Sequence, residues 1–219
     1  MAVSGREKTR MYQEHIIIRI LTRIFDLILL NILWLFTSIP VVTLGAATAA
    51  LYSVLMSAAE KKEGYIVRDY WKAFCRNFKQ STVVWLFLLF LGVCLGFDLM
   101  LVHTLPGVLR QLGAAILGAV FIFYLMECIF IFPLIAKFEN STGNMLKNAL
   151  LIPASRLPYA LLILFMTGAA VMVTFLNQMT IMTGAVIWSG IGVSVLSYVN
   201  SLILVKMLAP FCAGGKLKK

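Results

Sequence analysis

Glu127 is the residue in this sequence best placed to do chemistry. It lies in FYLMECIFIFP, near the middle of an otherwise uncharged run over 112–136, and no Lys or Arg shares its position in that run. A carboxyl at the centre of a bilayer must pair with a hydrogen-bond donor or hold its proton, because an isolated charge in hydrocarbon is costly. Asn31 in the first apolar run and Asn200 in the last are candidate partners, with Tyr124 one turn back and Tyr198 close to Asn200. Two readings stay open. Glu127, Asn31 and Asn200 form a candidate intramembrane polar site that lines a path for a proton or polar ligand, or the protonated carboxyl is hydrogen-bonding glue between helices.

A second set of residues suits recognition rather than catalysis. In GYIVRDYWKAFCRNFKQ, Ile66, Tyr70, Phe74 and Phe78 recur every four residues with Val67 and Trp71 beside them, while Arg68, Asp69, Lys72, Arg76 and Lys79 take the other side. That spacing predicts an amphipathic helix over 65–80, lying in the membrane interface. Arg68, Trp71, Lys72 and Arg76 are its candidate partner-docking residues. The same helix can equally pack on the ends of the spans as ordinary structure.

Other chemistry is missing from the sequence. There is no phosphate-binding loop, no HExxH, no Gly-x-Ser-x-Gly and no dinucleotide fingerprint. His15 and His103 stand alone, and Cys75, Cys94, Cys128 and Cys212 have neither zinc-ligand nor redox spacing. No nucleophile and base pair is visible, so the protein is expected to be no enzyme and to need no cofactor or metal.

These residues must be held by helices in a membrane. Of the 219 residues, 61% are hydrophobic and 13% charged, half the charge of a typical soluble chain at about 25%. The expected class is an all-α, polytopic helical integral membrane protein with about six transmembrane helices and a cytoplasmic amphipathic helix, forming one domain over 1–219. The spans are expected at 20–42, 44–60, 81–102, 112–136, 158–176 and 183–206.

The second span decides the topology. Thr43 to Ala59 carries no charge but is short, roughly 25 Å at 1.5 Å per residue. If it crosses, all of the 19 Lys and Arg except Arg110 fall on one side; with five crossings the basic clusters divide between the two sides. Basic loop residues collect on the cytoplasmic side, so six crossings with both termini cytoplasmic are expected. Pro40 fits the turn, and Gly45, Ala46, Ala47, Ala49 and Ala50 make the returning helix slim enough for close packing. A re-entrant pair, in which neither limb crosses fully, keeps the same parity.

Smaller features follow. Asp26, three residues from Arg23, and Asp98 sit near span ends and read as structural. Gly92-x-x-x-Gly96 and the series Gly190, Ser194, Ser197 and Ser201 are packing stripes. Pro133 is expected to kink the fourth span. After that span a short helix is expected, capped by Ser141 or Thr142 and ended by Pro153. No cleaved signal peptide is expected from the polar start. The net charge of +10 reads as topological bias and attraction to anionic headgroups rather than as nucleic-acid binding.

Three stretches, FDLILLNILWLFTSIPVVTLGAATAALY (25–52), GYIVRDYWKAFCRNFKQST (64–82) and FPLIAKFENS (132–141), resemble the YesL-like bacterial membrane proteins, domain of unknown function 624. The likeness covers most of the chain and is most specific over 25–82. It implies a multi-pass inner-membrane protein encoded beside carbohydrate ABC importers and polysaccharide-degrading enzymes, and it implies no catalytic residues. The expected function is therefore a non-enzymatic accessory membrane protein of carbohydrate ABC import. The alternative is a small independent transporter or channel around Glu127. Expected partners are the lipid bilayer and ABC permease subunits, with no nucleic acid.

Overall fold

The structure, a computed structural model, describes residues 5–62 and 64–213. In chain order it holds α1 (Gly5–Ser38), a 3-10 turn (Val41–Thr43), α2 (Leu44–Ala59), α3 (Ile66–Val102), α4 (Gly107–Lys137), α5 (Thr142–Ser155), α6 (Leu157–Thr174) and α7 (Gln178–Ile187). A π-helical turn (Trp188–Gly192) then leads into α8 (Val193–Ala213). There is no strand among the described residues. Among the described residues six stretches are long and apolar enough to cross a bilayer: Ile20–Ser38, Val41–Ala59, Ile66–Val102, Gly107–Lys137, Leu157–Thr174 and Gln178–Cys212. The protein is an all-α polytopic membrane protein. Its outer surface carries large apolar side chains such as Phe36, Phe90, Phe97, Phe165 and Phe175, as helices with satisfied backbones do against lipid.

The slim helix is the centre of the bundle. On α2, Gly45, Ala46, Ala47, Ala49, Ala50, and Leu51 are all buried, and the helix packs against α1, α3, α4 and α8. A Cβ on Gly45 would stand 2.6 Å from the Ser81 carbonyl oxygen and 2.6 Å from the Trp85 Cβ, so only glycine allows α3 to lie this close. Two cores meet at α2. One joins Leu30, Leu51 and Tyr70; the other joins Met56, Phe130, Met145, Ile163 and Met207.

Several elements differ from expectation. The amphipathic stretch is not a separate interfacial helix over 65–80 but the first part of a 37-residue α3. No Gly or Pro lies between Tyr65 and Leu91, so nothing breaks the helix where polar gives way to apolar sequence. That first part lies on α2, burying Tyr70, Ala73, Asn77 and Ser81. The turn after α1 meets α3 at Trp85, whose indole N–H donates to the Val41 carbonyl at 2.7 Å. Beyond this point α3 and α4 pack on each other, Gly92 under the Tyr124 hydroxyl and Gly113 under Val102. Gly96 and Gly190 have open space where a side chain would stand, so neither stripe is a continuous packing seam.

Proline also behaves otherwise. Pro153 lies inside α5, which runs on to Ser155, and Ser141 takes the cap position with no side-chain cap bond. Asn140 supplies the local bonds instead, accepting from the Ser141 N–H at 2.8 Å and the Asn144 amide at 3.1 Å. The last span starts earlier than 183, because Asn177 and Thr180 form a reciprocal capping box that begins α7 at Gln178.

Candidate functional site

Asn31 is fully buried on α1, facing the π-helical turn. A π turn shifts the hydrogen-bond register and leaves backbone groups without their usual helical partners. Asn31 bonds three backbone groups at this junction. Its Nδ2 donates to the carbonyls of Ser189 at 2.8 Å and Trp188 at 3.1 Å, and its Oδ1 accepts from the Ser194 N–H at 3.1 Å. One amide thus ties α1 to the junction of α7 and α8.

Asn200 is separate from this cluster. Its Nδ2 donates to the Thr167 hydroxyl of α6 at 3.1 Å, its Oδ1 is buried without a partner, and the Tyr52 hydroxyl lies beside it and Ser197. Glu127, on α4, has one carboxyl oxygen buried without a partner. Among the described residues no hydrogen bond joins it to Asn31, Asn200, Tyr124 or Tyr198. The three polar residues singled out in the sequence therefore sit in three different helix contacts, two of which keep an unpaired acceptor.

The four residues of the amphipathic stretch divide in two directions. Arg68 and Trp71 face outward, next to Tyr65, which is 79% exposed, and Val67. Trp71 packs edge-on against Phe74, and Phe74 against Phe78, which keeps this face rigid and aromatic. Lys72 and Arg76, one turn apart, line a cleft of about 1040 Å³ between α1, α2, α3 and α8. The buried Tyr70 anchors the stretch, its hydroxyl 2.6 Å from that of Thr37 on α1.

The same end of the bundle is held by an ion-pair cluster. Glu60, just past α2, pairs with Lys62 at 2.7 Å and with Lys137 at the end of α4. Burial pushes the Glu60 carboxyl up, but the bonds and charges of Lys137 and Lys62 outweigh it and hold the group below its ordinary value. Gln80 adds a bond from α3 to the Asn140 carbonyl at 2.8 Å. Among the described residues no three His, Cys, Asp or Glu side chains gather where they could hold a metal ion.

Residues 27–99 match the family described as "Protein of unknown function, DUF624". The chain is also similar to a Bacillus subtilis (strain 168) protein named "Uncharacterized protein YteU", at 29% identity over 143 residues, 64% of each chain. The match thus spans less than two thirds of that relative's length. No solved structure matches the chain.

Proposed function

We propose that this chain, whose residues 27–99 match the DUF624 family of proteins of unknown function, is a non-enzymatic accessory subunit of the bacterial inner membrane serving carbohydrate ABC import. Both termini and the α2–α3 loop lie in the cytoplasm on this reading, as the one-sided distribution of Lys and Arg favours. The link to sugar import rests on the resemblance of 25–82 to the YesL-like proteins. The observation that carries the docking role is the outward face of α3, where Tyr65, Val67, Arg68 and Trp71 stand exposed on a helix held rigidly against α2. An exposed aromatic and an arginine on a preorganised helix are the usual anchors of a protein interface.

The polar interior supports the same reading. Asn31 is occupied by backbone groups, and among the described residues no hydrogen bond joins Glu127 to Asn31 or Asn200. The unpaired acceptors on Glu127 and Asn200 favour the second reading, a small transporter. The test of the first is co-purification from a native host carrying Arg68→Glu and Trp71→Ala. Loss of ABC permease subunits that the unaltered protein retains supports docking through this face. Retention of those subunits by the variant, or recovery of the unaltered protein alone, counts against it.

A further inference from the structure

The cleft at the basic end has a composition that the docking face does not explain. Arg23, Lys61, Lys62, Lys72 and Arg76 line it, against the carboxylates of Asp26 and Asp69. Glu63, outside the described residues, would leave the balance positive even if it faced the cleft. Among the described residues only Lys62 of these five cations has a carboxylate partner, Glu60. The inner walls are mainly apolar, with Leu27 and Leu30 from α1, Val54 and Leu55 from α2, and Leu202 from α8, interrupted by Ser53, Ser57 and Tyr198. From Arg23 to Leu30 the wall changes from charged to hydrocarbon over about 10 Å of helix.

Two backbone features point into the same space. The 37-residue α3 begins at the cleft with Gly64 and Ile66 in its lining, and its N-cap residue, Tyr65, makes no side-chain cap bond. A helix start attracts anions, and Asp69, in the first turn with its carboxylate close to Gly64, answers part of this one. On the other side α2 ends in a paired cap, the N–H of Lys61 donating to the Ala58 carbonyl at 3.1 Å and that of Lys62 to the Ser57 carbonyl at 3.0 Å. The residue in the left-handed position of this cap is normally glycine, yet here it is Lys61, at φ 58°. A lysine held in that conformation on the rim is local strain at a charged cavity.

We infer that this cleft binds the phosphate headgroup of an anionic membrane phospholipid, with the cations and the start of α3 on the phosphate and the leucine wall on the first acyl carbons. A phosphate ester attached to a hydrocarbon chain matches both halves of the lining, whereas a free phosphate would leave the apolar half wet. The inference is independent of the accessory role and stands or falls by itself.

The experiment relipidates the purified protein in vesicles of phosphatidylglycerol and phosphatidylethanolamine and measures the lipid retained on it by native mass spectrometry. Combined Arg23→Gln, Lys72→Gln and Arg76→Gln should lower retained phosphatidylglycerol on the order of tenfold, since cations beside an anionic headgroup strengthen its binding and salt screens part of that attraction. Lys79→Gln, Lys147→Gln and Lys206→Gln together remove the same charge from exposed positions off the cleft and should retain the lipid. Lys61→Gly separates folding from binding, because it relieves the cap while removing a cation: the expected result is a more stable protein that holds less phosphatidylglycerol. Equal retention by the cleft and control variants overturns the site. Thermal protection by inorganic phosphate, lost in the cleft variant and unaccompanied by any preference for phosphatidylglycerol, overturns the lipid assignment in favour of a soluble phosphate compound.

Discussion

The side-chain amide of Asn31 donates to the Ser189 carbonyl at 2.8 Å across the contact between α1 and the π-helical turn. Because the same amide also serves Trp188 and Ser194, Asn31→Ala removes partners from three backbone groups, of which the Ser194 N–H is buried. The expected cost is about 1–3 kcal/mol. It would be measured as a lower detergent fraction at the midpoint of unfolding in mixed micelles with sodium dodecyl sulfate. Asn31→Asp should be nearly as harmful, since a carboxylate cannot donate to either carbonyl; an unshifted midpoint in both variants would show that the π turn satisfies itself.

Gly45→Ala tests the close approach of α2 and α3. The added methyl would sit 2.6 Å from the Ser81 backbone oxygen and 2.9 Å from Phe132 Cε1, so the helices must separate. Overpacking of this kind costs about 1–3 kcal/mol. The check is thermal unfolding in mild detergent, with Gly96→Ala, which meets open space, as the tolerated comparison.

Lys61→Gly is expected to raise stability by about 1 kcal/mol, the usual cost of holding a side chain in the left-handed region. The same thermal assay reads it. No gain in melting temperature would mean that the Lys61 side chain recovers the strain through contacts of its own.

The Glu60 carboxylate, held below its ordinary pKa by Lys137 and Lys62 against the opposing effect of burial, makes stability depend on acid. A group whose folded pKa is depressed contributes stability that is fully present above its ordinary value of 4.5 and is lost as pH falls through the folded value. Glu60→Gln should therefore be less stable than the unaltered protein near neutrality and converge on it in acid. Parallel stability curves across that range would assign the pair no role in holding α2 to α4.

Glu127→Gln removes an ionisable group while keeping its shape. Its buried oxygen has no partner to lose, so the fold should persist with stability changed by less than about 1 kcal/mol. In proteoliposomes, a proton-coupled flux whose pH dependence disappears in this variant would favour the transporter reading; the accessory reading expects no flux in either protein.

Much of the architecture is legible in the sequence because the bilayer restricts the choices. Uncharged runs near 20 residues become helices, and the glycine and alanine series of 45–50 becomes the helix that others crowd. Polarity likewise marks Asn31, but its partners are backbone groups freed by a π turn, and that turn, WSGIG, looks like any stretch of membrane helix. The single helix of 66–102 is hidden for a different reason. The change from amphipathic to apolar sequence looks like an element boundary, all the more because Ser81 and Thr82 could cap a new helix there, yet with no Gly or Pro to break it α3 runs straight through them. The cleft draws on residues 22–30, 53–76 and 198–202, three stretches far apart in the chain, so no local spacing announces it. The positive φ at Lys61 leaves no trace at all, since that position is one where glycine would have signalled the cap.

The position of α2 has a consequence for biogenesis. A bilayer accepts a helix for the apolar surface it offers to lipid, but 56% of the Val41–Ala59 window is buried in protein, against 11% for the window in α3 and 17% for that in α4. Its glycine and alanines contribute little transfer energy, and it gains its stability when α3, α4 and α8 close around it. Emerging from the ribosome second, it must wait for partners made up to 150 residues later. The helix that settles last is thus among the first made.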